Sequence, residues 1–336
     1  MNKTHHPSSE DLFPPYLKNH EGNERLVGFE IEYIGISIEE SAKLLKNLFS
    51  GDIQRINQNE YIVKDSSLGQ FKVELDAHLL KQLAAQSEKN RKENKIDIKG
   101  YIERFISSAL DDVIPLEIIT PPVTIQSIQL LDPIVDDLHE HGAKGTHTSK
   151  IAAFGVHINP DVPSLSVECI LSYLRSYVLL SDWLRNEIDV DISRAALPFI
   201  NEYPTAYKKK ILNPNYSPSM PRLMDDYMLY NRTRNRALDM LPLFKYVDEQ
   251  RVKEKIGSRL IHARPTFHYR LANSNLNVSG WNFTTEWMRW LNIEKLAANQ
   301  NVQGEMAKEY LELEQQSIFL NKNKWINTTS TYLKQL

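Results

Sequence analysis

Apolar and polar residues alternate in several short segments, which recur between longer stretches whose apolar residues are spaced by three and four positions. Alternation is typical of a β-strand with one buried face, and the longer spacing is typical of an amphipathic helix. The alternation predicts strands at residues 26–38, 60–65, 70–76, 115–120, 151–159 and 265–271. The helical spacing predicts helices at residues 39–49, 77–90, 98–110, 125–141, 165–188, 284–299 and 303–321. We therefore expect an α+β fold with an antiparallel sheet.

The first predicted strand carries two glutamates on one face. Because side chains alternate along a strand, Glu30 and Glu32 point away from Phe29, Ile31 and Tyr33 and lie about 6.6 Å apart. Four further strands oppose polar to apolar residues in the same way, with Glu74, Asp76, Glu117, His157, Asn159, Thr266, His268 and Arg270 at the polar positions. A single strand of this kind is ordinary, because any antiparallel sheet with one solvated face alternates.

The five strands together point to bound cations. Solvated strand faces usually carry Lys, Thr, Ser and Gln, whereas carboxylates dominate these positions, with histidine and arginine among them. Two carboxylates about 5 Å apart repel by roughly 3 kcal/mol at an effective dielectric constant of 20. A cation removes this cost. Oxygen ligands with an imidazole suit Mg²⁺ or Mn²⁺, and adjacent carboxylates can hold two ions about 4 Å apart, which serves phosphoryl chemistry.

The composition is that of an ordinary globular protein. The chain has 336 residues, 41% hydrophobic and 25% charged, and a formal net charge of -3. This charge favours small molecules over nucleic acid or an anionic membrane as partners. The single cysteine, Cys169, cannot form an internal disulfide and fits a packed thiol in a reducing cytoplasm. We expect no membrane-spanning segment, and a mobile tail at residues 1–25.

Two further segments are candidates for binding. Residues 201–221 are rich in proline and tyrosine and are not expected to be regular throughout, and long ordered loops are often binding loops or lids. Arg232, Arg234 and Arg236 alternate and suit bidentate contact with phosphate or carboxylate, although a plain basic surface patch explains them equally well. No G-x-x-x-x-G-K-[ST] or G-x-G-x-x-G nucleotide motif is present.

Four stretches in order resemble the amidoligases, a family of the glutamine synthetase and γ-glutamylcysteine synthetase superfamily: Gly28-Phe-Glu-Ile-Glu32, Asp65-Ser-Ser-Leu68, Leu116-Glu-Ile-Ile-Thr-Pro-Pro122 and Gly155-Val-His-Ile-Asn159. Residues 264–271, approached from residues 235–239, are a looser fifth. The resemblance implies a curved antiparallel sheet whose concave face holds ATP and Mg²⁺, with helices on the outer side. It implies one catalytic domain at residues 26–300 with a helical insertion at about 77–112, followed by a C-terminal helical extension at residues 301–336.

The resemblance also implies roles for individual residues. Glu30 and Glu32 would each lean toward a different metal ion, with Glu117 and Glu74 at one site and His157 at the other. Arg270 would meet phosphate oxygens, and the nucleotide needs no Walker loop because metals and arginines hold it. The implied metal ligands are Glu30, Glu32, Glu74, Glu117, His157 and His268; the implied cofactor-binding residues are Arg270, Arg264, His157 and Asn159; the implied catalytic residues are Arg270, Arg264 and Arg236.

The sequence departs from the family pattern in three places. His268-Tyr269-Arg270 stands where the family commonly has Glu-Phe-Arg, so that an imidazole replaces a carboxylate. His157-Ile158-Asn159 stands where His-Val-His is frequent. An insertion of about 35 residues separates Glu74 from Glu117 and leaves open which one is the family's counterpart.

We therefore expect an ATP- and Mg²⁺-dependent ligase, with Mn²⁺ as the alternative ion, that joins a carboxylate and an amine through an acyl phosphate. The substrates would be small molecules or peptides, without nucleic acid or membrane, in a cytoplasmic enzyme. A metal-dependent hydrolase would use the same carboxylates and histidine. A catalytically inactive nucleotide- or peptide-binding module would fit the departures at His268 and Asn159. The C-terminal apolar pattern leaves open packing on the sheet's outer face or in a homo-oligomer.

Overall fold

A computed structural model describes residues 9–76, 115–146, 154–190, 200–257, 261–316 and 321–336. Eight strands in these residues form one sheet whose pairings are all antiparallel. The strands are β1 (Leu26–Tyr33), β2 (Asp52–Asn57), β3 (Glu60–Ser66), β4 (Gly69–Leu75), β5 (Leu116–Ile119), β6 (Val123–Thr124), β7 (Gly155–Pro160) and β8 (Tyr269–Asn273). Their order is β2-β3-β4-β5-β1-β7-β8, and β6 pairs with one end of β1.

Ten α-helices accompany the sheet in the same residues: α1 (Ile38–Phe49), α2 (Pro133–Glu140), α3 (Val167–Ile188), α4 (Thr205–Leu212), α5 (Met220–Tyr230), α6 (Leu241–Val247), α7 (Glu249–Ile256), α8 (Phe283–Ala298), α9 (Gln300–Gln316) and α10 (Lys322–Leu333). Short 3-10 helices form at Ser9–Leu12 and Ile125–Leu131. The predicted α+β fold with an antiparallel sheet is confirmed. None of these helices is both long and apolar enough to cross a membrane.

The apolar face of the sheet forms the core, as the alternation predicts. Phe29, Ile31 and Tyr33 of β1 are completely buried. Helix α1 starts with a capping box between Ser37 and Glu40 and packs its apolar side on β2, β3 and β4. Helix α8 covers the other half, where Phe283 lies 4.9 Å from Phe29 between ring centroids. The opposite, polar face of β1 is therefore left for the site.

Helix α3 links the sheet to an outer layer of helices. Tyr173 of α3 stacks on Phe267 at 4.4 Å between ring centroids, next to strand β8. Helices α8, α9 and α10 all pack on α3, and Trp325 of α10 donates a hydrogen bond to the carbonyl of Leu179. The C-terminal apolar pattern thus packs within this layer in the protomer.

Several predicted boundaries were wrong for physical reasons. Strand β2 was missed because only Ile53 of its six residues is even partly covered, so it shows no alternation of apolar residues. The helix predicted at residues 125–141 divides into a 3-10 helix and α2, because Pro133 has no N–H group to continue the first helix. The helix predicted at 303–321 corresponds to α9 (Gln300–Gln316), which begins three residues earlier, and residues 317–320 lie outside the described residues. Helix α10 was missed.

Two further expectations need correction. The predicted strand at 265–271 is regular only from Tyr269, because the β7–β8 register shifts between Val156 and Ile158. Residues 9–25, predicted as part of a mobile tail, belong to the folded structure: Leu12 is completely buried and its carbonyl accepts a hydrogen bond from Trp287. The predicted helices at 77–90 and 98–110, with the proposed insertion, lie outside the described residues, as do residues 151–153 of the predicted fifth strand.

Candidate active site

The polar face of β1 carries a buried cluster shared with β7. Glu30 lies directly across from His157 in the pairing of the two strands. Nδ1 of His157 is 2.7 Å from one carboxylate oxygen of Glu30, and the amide of Asn159 donates to the other oxygen at 2.9 Å. All three residues are buried. This face is therefore not the solvated surface that simple alternation would suggest.

A row of glutamates crosses four neighbouring strands and ends at the same cluster. Glu60, Glu74, Glu117 and Glu32 are successive cross-strand partners on β3, β4, β5 and β1. The exposed fraction of the side chain falls from 30% for Glu74 to 13% for Glu117 and 10% for Glu32. Glu32 accepts a hydrogen bond of 2.6 Å from the backbone N–H of Gly155. Negative charge is therefore concentrated where solvent is least able to screen it.

Two sets of possible metal ligands meet at His157. One consists of Glu30, His157 and His268, and the other of Glu32, Glu117 and His157; within each set the ligand atoms lie within 4.8 Å of one another. Five of the six predicted metal ligands are brought together in this way. Glu74 belongs to neither set, and its carboxylate pairs instead with Lys72 at 2.8 Å. Of the two alternatives, Glu117 rather than Glu74 is thus the residue at the cluster.

The protonation states of His157 and Glu30 place the lone pair of His157 Nε2 opposite the carboxylate of Glu32. Burial lowers the pKa of His157 to about 3, so this imidazole is neutral at physiological pH. Burial disfavours ionised Glu30, but the hydrogen bond from His157 and the nearby guanidinium of Arg264 outweigh it and hold the pKa of Glu30 well below its usual range. His157 therefore donates from Nδ1 to Glu30. Its unprotonated Nε2 then lies 3.5 Å from Glu32 Oε1, a contact that needs a proton or cation between the two atoms.

Glu117 shows the same excess of negative charge. Burial, and then the nearby carboxylates of Glu30, Asp76 and Glu32, raise the pKa of Glu117 well above its usual range. Arg264 is the cation nearest to Glu30, at 3.5 Å, and its side chain is 41% exposed. The buried Oδ1 of Asn159 has no hydrogen-bond partner within the described part of the chain. Carboxylates, imidazoles and an unused amide oxygen form a donor set that fits Mg²⁺ or Mn²⁺.

The three predicted catalytic arginines lie in different surroundings. Arg264 reaches Glu30 from a half-exposed position beside the cluster. Arg270 is buried, and its Nη1 donates to the carbonyl of Arg234 at 2.9 Å. Arg236 points its Nε at the amide oxygen of Asn231 and its Nη1 at the carbonyl of Glu202, so these contacts hold a loop together. Arg264 and Arg270 are therefore the better candidates for contact with phosphate.

Two acidic residues of the site were not assigned from the sequence. Asp76 stands on the polar face of the β4 segment, where alternation places it, and is buried close enough to Glu117 to raise its pKa. Asp239 is completely buried behind His268, with its Oδ2 3.7 Å from Nδ1 of the imidazole and 3.1 Å from Nε of Arg234. Asp239 lies in a loop whose sequence carries no periodicity. The signal for it was its place at the end of residues 235–239, which approach the looser fifth stretch of the family resemblance.

A comparison with protein families identifies the group to which this cluster belongs. A family model described as "Putative amidoligase enzyme" matches residues 23–292, which include every residue of the cluster. The chain belongs to this amidoligase family. The resemblance seen in the four sequence stretches is thereby confirmed, and membership indicates a ligase. No curated protein and no solved structure matches the chain.

Proposed function

We propose that this amidoligase is an ATP-dependent carboxylate–amine ligase that uses Mg²⁺, or Mn²⁺ in its place. One observation carries the proposal: two sets of possible metal ligands share His157, and burial with the neighbouring carboxylates raises the pKa of Glu117 well above its usual range. Divalent ions at such a place are suited to binding the phosphates of a nucleotide. The family assignment supplies the reaction class, and the cluster supplies the chemistry.

The residues have separate tasks in this proposal. Glu30, Glu32, Glu117, His157 and His268 hold the ions, whose positive charge counters the phosphates of ATP. Arg264, half-exposed beside Glu30, contacts the transferred phosphoryl group. Arg270, which is buried in strand β8, contacts phosphate oxygens. His157 and Asn159 keep Glu30 ionised and oriented by hydrogen bonds of 2.7 and 2.9 Å. A curved, glutamine synthetase-like face is part of the proposal.

The reaction proceeds in two steps. The substrate carboxylate attacks the γ-phosphorus of ATP, the bond to the β–γ bridging oxygen breaks, and ADP leaves an acyl phosphate. A neutral amine then attacks the acyl carbon, phosphate leaves, and the amine loses one proton to give the amide. Electrostatic stabilisation and positioning are the main contributions of a protein to such a transfer. The substrates are small-molecule or peptide carboxylates and amines, and the single, partly covered thiol of Cys169 is compatible with a cytoplasmic enzyme.

The proposal is tested by ADP and phosphate release with Mg²⁺, with and without a pool of amino acids, polyamines and peptides. We expect Glu30→Gln and Glu32→Gln to lower turnover by at least about 100-fold, because each removes a ligand of the ions that would counter the charge of the phosphates. The melting temperature of metal-free Glu32→Gln should stay unchanged or rise, since this substitution relieves repulsion with Glu117. Glu30→Gln should lower it, because the folded protein stabilises the ionised form of Glu30. Glu60→Gln, at the outer end of the same glutamate row, is the matched control and should retain activity.

Other outcomes would contradict the proposal. Release of product without ATP would indicate a metal-dependent hydrolase acting on phosphoesters or amides. ATP binding without turnover in any substrate pool would indicate a catalytically inactive binding module. A large loss of stability in metal-free Glu32→Gln would show that this carboxylate has a structural role instead.

A further inference from the structure

A cavity of about 760 Å³ lies outside the candidate active site, between helix α3, helix α9 and the segment at residues 212–218. Leu171 of α3, Leu212 at the end of α4 and Leu311 of α9 are among its apolar walls. Its size falls within the range of about 300–1,000 Å³ that is typical of sites for small organic ligands. The segment at 212–218 belongs to the proline- and tyrosine-rich stretch that the sequence marks as a candidate binding loop.

This cavity is separated from the carboxylate cluster by α3 itself. Leu171 and Arg175 face the cavity, whereas Tyr173 and Tyr177 face the sheet, where they pack against Phe267 and Tyr269. A spacing of two residues in a helix places side chains on nearly opposite sides. A ligand in the cavity therefore touches none of the residues assigned to ATP or metal.

Arg175 gives the cavity a cation that is not neutralised. Its Nε donates to the carbonyl of Ile211, and one terminal nitrogen donates to the carbonyls of Asn213 and Tyr216. These bonds fix the loop that forms one wall. No carboxylate of the described chain lies within ion-pair distance of this half-buried guanidinium, and its Nη1 makes no hydrogen bond there. Burial accordingly lowers the pKa of Arg175, whereas Glu294 outweighs burial and raises that of Arg25.

Gly304 leaves open space in the opposite wall. It lies within helix α9, where glycine costs up to about 1 kcal/mol relative to alanine. A Cβ atom at this position would meet no atom within 4 Å, so no close contact in the protein requires glycine. Glycine here lets a ligand approach the helix backbone closely. Beside it, the buried side chain of Gln303 is held by Ser172 and Ser176, which makes this wall rigid.

We propose that this cavity binds a small amphipathic carboxylate, with the apolar body between Leu171, Leu212 and Leu311 and the carboxylate on Arg175. A carboxylate would supply the missing counter-charge through a charge-assisted hydrogen bond to Nη1. The other charged lining residues, Glu168, Lys308 and Glu312, are exposed. Solvent and salt screen them more than the half-buried Arg175, so Arg175 decides the sign of the head group.

A matched series of probes tests the head group by isothermal titration calorimetry on the full chain. Octanoate should bind at least about tenfold more tightly than 1-octanol or octylamine, which share its apolar chain but lack the carboxylate. Equal affinity for octanoate and octylamine, or no detectable binding of octanoate, would overturn the proposal.

Two variants separate the cavity from the rest of the surface. Gly304→Leu fills the open space and favours the helix, so it should keep or raise the melting temperature while weakening octanoate at least about tenfold. Glu305→Leu adds the same apolar group to the adjacent exposed position outside the cavity and should bind octanoate as the wild type does.

Arg175→Met should remove the preference for octanoate over 1-octanol. Arg175 also holds the loop, so Arg175→Met can fail to fold, and the test then rests on Gly304→Leu. Wild-type affinity for octanoate in Gly304→Leu would overturn the proposal.

Discussion

Two regions of this protein bury charge, and they differ in how that charge is balanced. Around Glu294, Arg25 donates to both carboxylate oxygens at 3.1 and 2.7 Å, and Tyr173 and Trp290 donate as well. The remaining donors of Arg25 reach the carbonyls of Asp161 and Tyr16. One positive charge meets one negative charge, and each of the three guanidinium nitrogens has an acceptor. The Arg25–Glu294 pair therefore needs no bound ion to balance its charges.

The cluster around His157 is buried to a similar degree but is not balanced. Glu30, Glu32 and Glu117 surround the neutral imidazole of His157. Arg264 and Arg270 lie nearby, yet burial and the neighbouring carboxylates still raise the pKa of Glu117 well above its usual range. A buried charge is stable only when it is paired with an opposite charge. Removing a carboxylate is therefore expected to have opposite effects on stability in the two regions. In the Arg25–Glu294 pair, removal of the carboxylate leaves a cation without a partner. In the cluster, removal of the Glu117 carboxylate relieves repulsion until a metal ion binds.

The largest expected effect is on the balanced pair. Glu294→Gln should lower the free energy of unfolding by about 3–5 kcal/mol, because it leaves Arg25 charged and almost completely buried. Urea titration followed by tryptophan fluorescence measures the loss, since Trp290 contacts Glu294 directly. Glu39→Gln breaks an exposed pair with Lys43 and should cause no measurable change. A loss under about 1 kcal/mol in Glu294→Gln would remove the contrast between the two regions.

The next effect concerns the unbalanced cluster at Glu117. Its pKa is raised in the folded state, so the metal-free protein loses stability as pH rises above the unfolded value of about 4.5 toward the folded one. Glu117→Gln should remove this loss. Mg²⁺ at 100 times its dissociation constant should stabilise the wild type by about 2.7 kcal/mol, and Glu117→Gln much less.

Thermal unfolding between pH 5 and 8, with chelator and with Mg²⁺, measures both parts of the Glu117 prediction. Glu74→Gln is the matched control, because Glu74 lies beside Glu117 in the glutamate row yet pairs with Lys72. It should keep most of the Mg²⁺ stabilisation. The opposite result, with Glu74→Gln abolishing it and Glu117→Gln keeping it, would make Glu74 the ligand.

The sequence predicts the sheet well because its strands obey one simple rule. Phe29, Ile31 and Tyr33 form the core, and the opposing positions assemble Glu30, Glu32, Glu117 and His157. Alternation fixes which face a residue occupies. It does not fix how deeply that face is buried, and so could not separate half-exposed Glu74 from Glu117.

Residues that reach the site from outside the sheet could not be predicted from the alternation of apolar and polar residues. The loop that carries Asp239 joins the site only because its backbone pairs with that of His268. Arg236 illustrates the converse, since a favourable local pattern did not show that its guanidinium is occupied by Asn231 and Glu202. Such contacts depend on chain topology, which neither spacing nor composition encodes.

The smallest expected effect concerns His268, the residue that stands where the family commonly has a carboxylate. Asp239 faces its Nδ1 at 3.7 Å and is held by Arg234 and by the backbone N–H of Leu241. At this distance the carboxylate forms no hydrogen bond with Nδ1, but its charge attracts the imidazole proton to Nδ1. Nε2 is then free to bind a metal ion, and the negative charge makes it a better donor. Asp239 thus adds negative charge next to the metal site without binding the ion itself, and so partly replaces the carboxylate charge that the imidazole lacks.

Asp239→Asn tests this compensation. The amide keeps the size of the side chain but loses its charge, so the affinity for Mn²⁺ should fall by about 10- to 100-fold. Titration calorimetry with Mn²⁺ gives the affinity, and the imidazole resonances of His268 report the tautomer. Asp226→Asn is the control, because Asp226 is also buried and bound by cations, Lys210 and Arg222, but does not contact His268. Its substitution should cost stability and leave Mn²⁺ binding intact. If folded Asp239→Asn bound Mn²⁺ as tightly as the wild type, His268 would not belong to the metal site, and the charge imbalance would rest on Glu30, Glu32, Glu117 and His157 alone.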